Sequence, residues 1–260
     1  MNNSMQHPGC ELTVVVPAFN EQRRIAPTLV EMIDYLDFHS YDYEIIVVDD
    51  GSSDRTSEVV KRFQRLRSRV SLIQFAANQG KGAAVKAGML AGRGSRLLFA
   101  DADGSTPFEE IQRLEHALKE GAEVAIGSRA LTSPETSVQT HWHRRFLGQA
   151  FNRVVNALVV PRIRDTQCGF KMFSREAAKF LFEKQSAQGF SFDVEILMIA
   201  QRSGIRVSEI AVNWENVPGS KVNLILDALK MFRDVLRFRF IHREVSADDF
   251  ENFKLVLNSK

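Results

Sequence analysis

The first half of this 260-residue chain alternates short runs of β-branched and aliphatic residues with stretches of helical periodicity. The runs predict strands at residues 12–17, 44–49, 70–75, 96–100 and 124–127, of which the first two are predicted to be buried. The intervening stretches predict helices at residues 24–38, 55–68, 82–91 and 107–119. Strands that alternate with helices usually pair in parallel. The pattern therefore predicts an α/β fold, with helices on both faces of a Rossmann-like, mostly parallel sheet.

The second half of the chain is less regular. Helical patterns occupy residues 141–160, 175–182, 192–202, 222–241 and 250–257, and strand patterns occupy residues 171–173 and 207–214. No internal repeat or low-complexity linker interrupts this half. We therefore predict one domain over residues 1–221, followed by a C-terminal extension of amphipathic helices over residues 222–260.

The composition argues against several classes of protein. A net charge of +2 gives no general attraction for nucleic acid, so we expect no nucleic-acid partner. Cys10 and Cys168 are far apart and lack CxxC spacing, which predicts neither a disulfide framework nor a zinc site. The first ten residues lack signal-peptide features, and no apolar run reaches the about 18 residues of a membrane-spanning helix. We expect a soluble or peripheral protein.

Polar residues follow the carboxyl end of each of the first four predicted strands. These clusters occupy residues 17–21, 49–54, 78–82 and 101–105. In an open parallel sheet, ligands bind beyond the carboxyl ends of the strands. The four clusters therefore predict a binding site along one edge of the sheet.

The cluster after the fourth strand contains two carboxylates, Asp101 and Asp103, before Gly104. If the chain turns at this glycine, both carboxylates can face one ion, and hard oxygen ligands suit Mg²⁺ or Mn²⁺. Such an ion would stabilise the charge of a departing diphosphate. The alternative is a capped turn before the helix that begins near Pro107.

The other clusters also have two interpretations. Asp49 or Asp50 could accept a hydrogen bond from a nucleotide, or could belong to an ordinary Asp-Gly-Ser turn. Asp54 is predicted to cap the following helix. Residues 79–82 lack the GxxxxGK[ST] pattern, but their backbone amides could approach an anion at the helix start. An ordinary loop into a helix is the alternative.

Taken in order, the motifs PAFNE, DDGSSD, NQGKG, DADGS and GSR resemble those of glycosyltransferase family 2, which has the inverting GT-A fold. Residues 163–173, 192–197 and 209–221 resemble the branch of that family that transfers glucose to dolichyl phosphate. Eukaryotic members of this branch carry an N-terminal membrane anchor. We expect none in this chain.

The resemblance implies a site for a UDP-sugar donor. Its nucleotide-sugar-binding residues would be Pro17, Ala18, Asn20, Glu21, Asp49, Asp50, Lys81, Asp101, Ala102 and Lys221. Lys221 would close over the donor phosphates. The implied metal ligands are Asp103, Asp101 and Ser105, with serine the weakest. Arg129 would face the donor diphosphate or the acceptor phosphate, and Arg144 or Arg145 would bind the acceptor phosphate.

The acceptor decides whether a general base is needed. A lipid phosphate has a second pKa of about 6 and is already an anion at neutral pH, whereas a hydroxyl acceptor must lose a proton. The available carboxylates are Asp165, Asp193 and Glu195, and Asp193 is predicted to contact the sugar. Alternatively, Asp165 pairs with Arg164, while Asp193 and Glu195 complement a helix dipole.

Two basic, amphipathic segments, residues 230–243 and 141–147, predict contact with an anionic membrane surface. The alternative is a helix packed on the core with a solvated basic face. We expect a peripheral enzyme at the cytoplasmic membrane face that transfers glucose from UDP-glucose to a polyprenyl or dolichyl phosphate. Rival hypotheses are GDP-mannose or another donor, a soluble acceptor, and a non-catalytic nucleotide-sugar sensor or scaffold. The absence of GxGxxG after the first strand disfavours a dinucleotide-dependent oxidoreductase.

Overall fold

A computed structural model describes residues 9–131, 133–139, 160–217 and 224–258. The strands are β1 (Leu12–Ala18), β2 (Tyr43–Asp49), β3 (Val70–Gln74), β4 (Arg96–Ala100), β5 (Val124–Ser128), β6 (Val138–Gln139), β7 (Phe170–Ser174), β8 (Val207–Ala211) and β9 (Trp214–Glu215). The helices are α1 (Ile25–Phe38), α2 (Thr56–Leu66), α3 (Lys81–Ala91), α4 (Ile111–Lys119), α5 (Arg175–Lys184), α6 (Phe192–Arg202), α7 (Leu224–Ile241) and α8 (Ala247–Asn258), with a 3-10 turn at Phe108–Glu110.

The main sheet has seven strands in the order β3-β2-β1-β4-β7-β5-β8. All neighbouring pairs are parallel except those of β7, which runs antiparallel to both β4 and β5. The predicted α/β fold with a mostly parallel sheet is therefore confirmed. The direction of β7 could not be read from periodicity, because a strand pattern is the same in both directions. β6 and β9 form a separate two-stranded parallel ribbon.

Hydrophobic side chains cover both faces of the sheet. Along β1, Val15 belongs to one buried cluster and Val14 and Val16 belong to the other, as the alternation of a strand requires. The cluster around Val15 contains side chains of α3, α5 and α6, whereas the opposite cluster contains side chains of α1 and α4. Burial on both faces explains why β1 is apolar along most of its length.

The last two helices pack on the same core. Val235 and Phe238 of α7 and Phe250 of α8 are buried in the cluster that contains Val15. The ring of Phe250 meets that of Phe180 edge-to-face, with centroids 5.3 Å apart. The boundary between a domain and an extension at residue 221 stays a prediction. Within the described ranges, no helix is both long and apolar enough to cross a membrane.

Two predicted elements are each divided in the structure. The predicted helix at 107–119 begins as the 3-10 turn, because Pro107 has an extended backbone (φ −53°, ψ 136°), and α4 starts only at Ile111. The predicted strand at 207–214 ends at Ala211, and β9 begins at Trp214. Between them the Asn213 side chain binds Glu110 and the backbone of Ser137, which redirects the chain. The predicted helix at 141–160 lies outside the described residues, apart from its last position.

Candidate active site

Parallel pairing brings the polar clusters of β1, β2 and β4 to one edge of the sheet. Ala18 pairs with Asp49 at the ends of β1 and β2, and the amide of Asp50 donates to the Ala18 carbonyl at 2.8 Å. Beyond β4, the amide of Asp101 donates to the carbonyl of Gly169 at 2.9 Å. This convergence was predicted from the sequence, because a polar cluster follows the carboxyl end of each of these strands. Pro17 and Ala18 are buried within β1.

Asn20 braces the loop that follows β2. Its backbone is left-handed (φ 55°), and its side-chain oxygen accepts from the amide of Ser53 at 2.8 Å. Its own amide donates to Ser52 Oγ at 2.8 Å. The side chain of Glu21 binds Arg24 at 2.6 Å. Asp54 accepts from the amide of Thr56 at 2.9 Å just before α2, but the N-cap of this helix is Arg55, so the predicted cap at Asp54 is wrong by one residue.

The two aspartates after β2 have different surroundings. Asp49 is fully buried, and Oδ1 accepts from the Ser52 amide at 3.0 Å. Its Oδ2 is buried with no hydrogen-bond partner among the described residues, so it is an acceptor suited to a ligand N–H or O–H. Both oxygens of Asp50 are engaged, by the amides of Gln79 at 2.7 Å and Gly80 at 2.9 Å. Asp50 therefore holds the loop before α3, and burial raises the pKa of its carboxyl.

Lys81, in the first turn of α3, connects that loop to Asp101. Its Nζ lies 2.6 Å from Asp101 Oδ1. Burial by itself would lower the pKa of Lys81, but Asp101 and Asp193 outweigh it, and the pKa is raised. Lys81 is therefore a cation that contacts the predicted donor site. The neighbouring Ala102 is buried, and its carbonyl accepts from Thr28 Oγ1 at 3.1 Å.

Asp103, the second carboxylate of the DADGS turn, has contacts on both of its oxygens. Oδ1 accepts from the Ser105 amide at 3.0 Å, and Oδ2 lies 3.9 Å from Arg24. Burial and then the neighbouring charge of Asp101 raise the pKa of its carboxyl. Gly104 takes the left-handed conformation (φ 67°) that the turn requires, which agrees with the sequence.

The donor set of this turn fits a divalent cation. The charge of Asp101 helps to raise the pKa of the Asp103 carboxyl, and a cation beside both carboxylates would stabilise the charged form of Asp103. The described residues contain no group of three or more histidine, cysteine or acidic side chains placed to hold a metal. Mg²⁺ is nonetheless often held by one or two carboxylates together with substrate phosphates. Asp101 and Asp103 would hold such an ion. Whether Ser105 also binds it stays a prediction.

Asp193 lies in a buried ion pair that the sequence did not predict. Its Oδ1 is 2.6 Å from Lys171 Nζ, which also donates to the Cys168 carbonyl at 2.6 Å. Both side chains are almost fully buried. Burial raises the pKa of Asp193, while Lys171 and Lys81 counteract that shift. The predicted contact of Asp193 with a sugar stays a prediction.

Arg129 is held by Asp165 rather than left unpaired. Nε and one terminal nitrogen of Arg129 donate to the two oxygens of Asp165 at 2.7 and 2.8 Å. Burial opposes ionisation of Asp165, but Arg129 outweighs it and lowers its pKa to about 2. The suggested pairing of Asp165 with Arg164 is wrong, because both oxygens of Asp165 bind the Arg129 guanidinium instead. The guanidinium of Arg129 also lies 5.5 Å from the centre of the Trp214 ring.

Three predicted site residues, Arg144, Arg145 and Lys221, lie outside the described residues, and their roles stay predictions. The sequence analysis missed Lys171, Trp214 and Gly169. Lys171 left a signal, because a lysine inside an otherwise apolar buried strand needs an anionic partner. Trp214 belongs to a quoted motif, but nothing local showed that it would contact Arg129.

The absence of a side chain at Gly169 leaves room for the Asp101 carboxylate. A Cβ atom at residue 169 would lie 1.9 Å from Asp101 Oδ2. We expect Gly169→Ala to displace Asp101 and to lower kcat/KM by about 10²-fold, since small misplacements at a reacting centre have effects of this size. Steady-state kinetics with the predicted donor would measure the change. Gly189→Ala is the matched control, because a Cβ there meets nothing within 4 Å. Equal kinetics for the two variants would contradict the expectation.

The geometry can be set beside known proteins. The sequence model of the family described as Glycosyl transferase family 2 matches residues 13–182. The chain is 41% identical over 245 residues to a dolichyl-phosphate β-glucosyltransferase of Mus musculus, covering 89% of this chain and 76% of that one. It is 36% identical over 249 residues to the Saccharomyces cerevisiae protein of the same name, covering 89% and 75%.

Among solved structures, the chain resembles glucosyl-3-phosphoglycerate synthase from Mycobacterium tuberculosis in complex with Mn²⁺, UDP and glucosyl-3-phosphoglycerate. The TM-score is 0.62 with 20% identity, and the match covers 88% of this chain and 78% of that one. At this identity the similarity supports a common fold.

Proposed function

Because this chain belongs to glycosyltransferase family 2 and is a glycosyltransferase, we propose that it transfers glucose from UDP-glucose to a dolichyl or other polyprenyl phosphate, with inversion at the anomeric carbon. The observation that carries the proposal is the 41% identity over 245 residues with the mouse dolichyl-phosphate β-glucosyltransferase. A relative of 40% identity from Homo sapiens has the same name.

The donor half of the site is built for a diphosphate. Lys81 supplies a partly buried cation next to Asp101, and the oxygen of Asp49 that has no partner among the described residues offers an acceptor to the nucleotide. Asp101 and Asp103 would hold Mg²⁺ or Mn²⁺, and the fold neighbour from Mycobacterium tuberculosis was crystallised with Mn²⁺ and UDP. When bound, the metal would supply Lewis-acid stabilisation of the diphosphate charge.

The state of the carboxylates supports an acceptor that is already ionised. Asp165 is bound to Arg129, and Asp193 is bound to Lys171, so two of the three candidate bases are held as partners of cations. A phosphate oxygen can attack without a base. It forms the new bond to the anomeric carbon, the bond from that carbon to the UDP oxygen breaks, and its electron pair leaves with UDP. We propose that Arg129 binds either the donor diphosphate or the acceptor phosphate.

The outer face of α7 supports a membrane-surface acceptor. The buried face of α7 carries Met231, Val235 and Phe238, and His242, just after the helix, is also buried. The opposite face exposes Leu236 and Phe240, and Phe240 is 74% exposed. Exposed cations at Arg233, Arg237, Arg239 and Arg243 surround these apolar side chains. Aromatic and aliphatic side chains among arginines suit the surface of an anionic bilayer. This surface supports our proposal that the protein acts at the cytoplasmic face of a membrane, where it would meet both a soluble donor and a lipid acceptor.

The test is a transfer assay with labelled UDP-glucose, Mg²⁺ or Mn²⁺ and a polyprenyl phosphate, presented in detergent or in anionic vesicles. Label in the lipid phase, lost with chelator, is the expected result. Phe240→Ser should reduce transfer in vesicles but not in detergent. Phe38→Ser, at the even more exposed Phe38 of α1, should reduce neither. Transfer from GDP-mannose alone would correct the donor, and transfer only to soluble acceptors would overturn the lipid acceptor. Donor binding without transfer would favour a sensor.

A further inference from the structure

Glu195 lies on α6, two residues after Asp193. Its carboxylate binds groups outside the predicted donor site. The side chain is fully buried, and its oxygens accept from the amides of Ser186 at 3.0 Å and Ala187 at 2.7 Å. His242, just after α7, donates its Nε2 proton to Glu195 at 2.7 Å. Burial opposes ionisation, but these hydrogen bonds prevail and lower the pKa of Glu195. One buried anion therefore joins α6, α7 and the segment at residues 185–188.

Residues 185–188, which we call the buttress, pack directly against the start of α3. The carbonyl of Gln188 accepts from the amide of Ala83 at 3.1 Å, and the side chain of Gln185 donates to the carbonyl of Gly82 at 2.9 Å. A Cβ on Gly80 would lie 2.5 Å from the Gln188 carbonyl oxygen. Because the buttress and the start of α3 are in such close contact, a shift of the buttress would also shift the start of α3.

The start of α3 in turn sets two features of the donor site. It carries Lys81, which reaches Asp101, and it follows the Gln79 and Gly80 amides that bind Asp50. The contacts thus form a continuous path from Glu195 through the buttress to Lys81. The path combines backbone groups with the side chains of Glu195, Gln185 and Lys81. Removal of the Glu195 charge takes the charged acceptor away from the amides of Ser186 and Ala187.

We propose that Glu195 is a positioning residue that holds Lys81 against Asp101 through the buttress. The inference rests on the proposed function, in which Lys81 helps to bind the donor. It adds a residue that touches neither donor nor acceptor. It also links α7 to the donor site, because His242, just after α7, binds Glu195. A purely structural glutamate would affect stability without acting selectively on the α3 loop.

The first experiment follows amide hydrogen exchange of Gln79 and Gly80 in Glu195→Gln and in a matched control, Glu44→Gln. Glu44 also accepts several hydrogen bonds, from Thr13 Oγ1 at 2.8 Å and the Arg93 amide at 2.6 Å, but at the opposite end of the sheet. We expect exchange at Gln79 and Gly80 to accelerate about tenfold in Glu195→Gln relative to the control. Equal exchange in two variants of equal stability would overturn the inference, whatever the protein's substrate.

The second experiment is a double-mutant cycle on UDP-glucose affinity. If Glu195 acts through Lys81, Glu195→Gln should weaken donor binding about tenfold alone and add little to Lys81→Met. Additive losses would mean that Glu195 acts by another route and would contradict the inference. If the wild-type protein does not bind UDP-glucose, the proposed donor is wrong. The exchange measurement still decides the role of Glu195.

Discussion

Asp103→Asn is expected to reduce glucosyl transfer by about 10²–10³-fold, because the variant loses a charged ligand of the proposed metal and the diphosphate loses its main counter-charge. The folded protein should not lose stability. Burial and Asp101 raise the pKa of Asp103, so its ionised form is less favourable in the free protein than in water, and asparagine removes the repulsion from Asp101. We expect activity and stability to move independently.

Kinetics across a Mn²⁺ titration, with thermal unfolding of the same samples, would measure both effects. Asp34→Asn is the matched control, since Asp34 is exposed on α1. Full activity of Asp103→Asn at ordinary metal concentration would show that Asp103 is not a metal ligand. A large fall in the melting temperature would instead assign Asp103 a structural role.

Lys171→Met is expected to have the largest effect on stability. The substitution leaves Asp193 buried without its 2.6 Å partner, and removal of one member of a buried ion pair typically destabilises a protein by about 3–5 kcal/mol. The Cys168 carbonyl loses a donor as well. Urea unfolding of the wild type and the variant would give the difference in free energy of unfolding.

The double variant Lys171→Met/Asp193→Leu separates charge from packing. Once both charges are removed, we expect the double variant to regain much of the stability lost by the single one, because no unpaired carboxylate remains. A loss below about 1 kcal/mol in Lys171→Met would mean that another cation, such as Lys81, neutralises Asp193 in its place. Equal losses in the single and double variants would assign the effect to packing.

The fold was largely predictable because its signals are local. Each buried strand of the first half is a short aliphatic run, and each flanking helix shows its own periodicity, so the order of elements follows from the sequence. The polar clusters could be placed together because parallel strands end at a common edge. The same reasoning could not give the direction of β7, nor the break between Ala211 and Trp214, because both depend on contacts with distant residues.

The sequence by itself therefore determined the α/β class, the edge of the sheet that carries the polar clusters, and the family to which the chain belongs. The tertiary structure decided how the charges at that edge are shared. Asp165 binds Arg129 across 36 residues, and Lys171 binds Asp193 across 22 residues. Asp50 uses both carboxylate oxygens to hold the loop before α3. A buried carboxylate takes whichever cation or amide the packing brings near, and packing depends on the whole fold rather than on neighbouring residues.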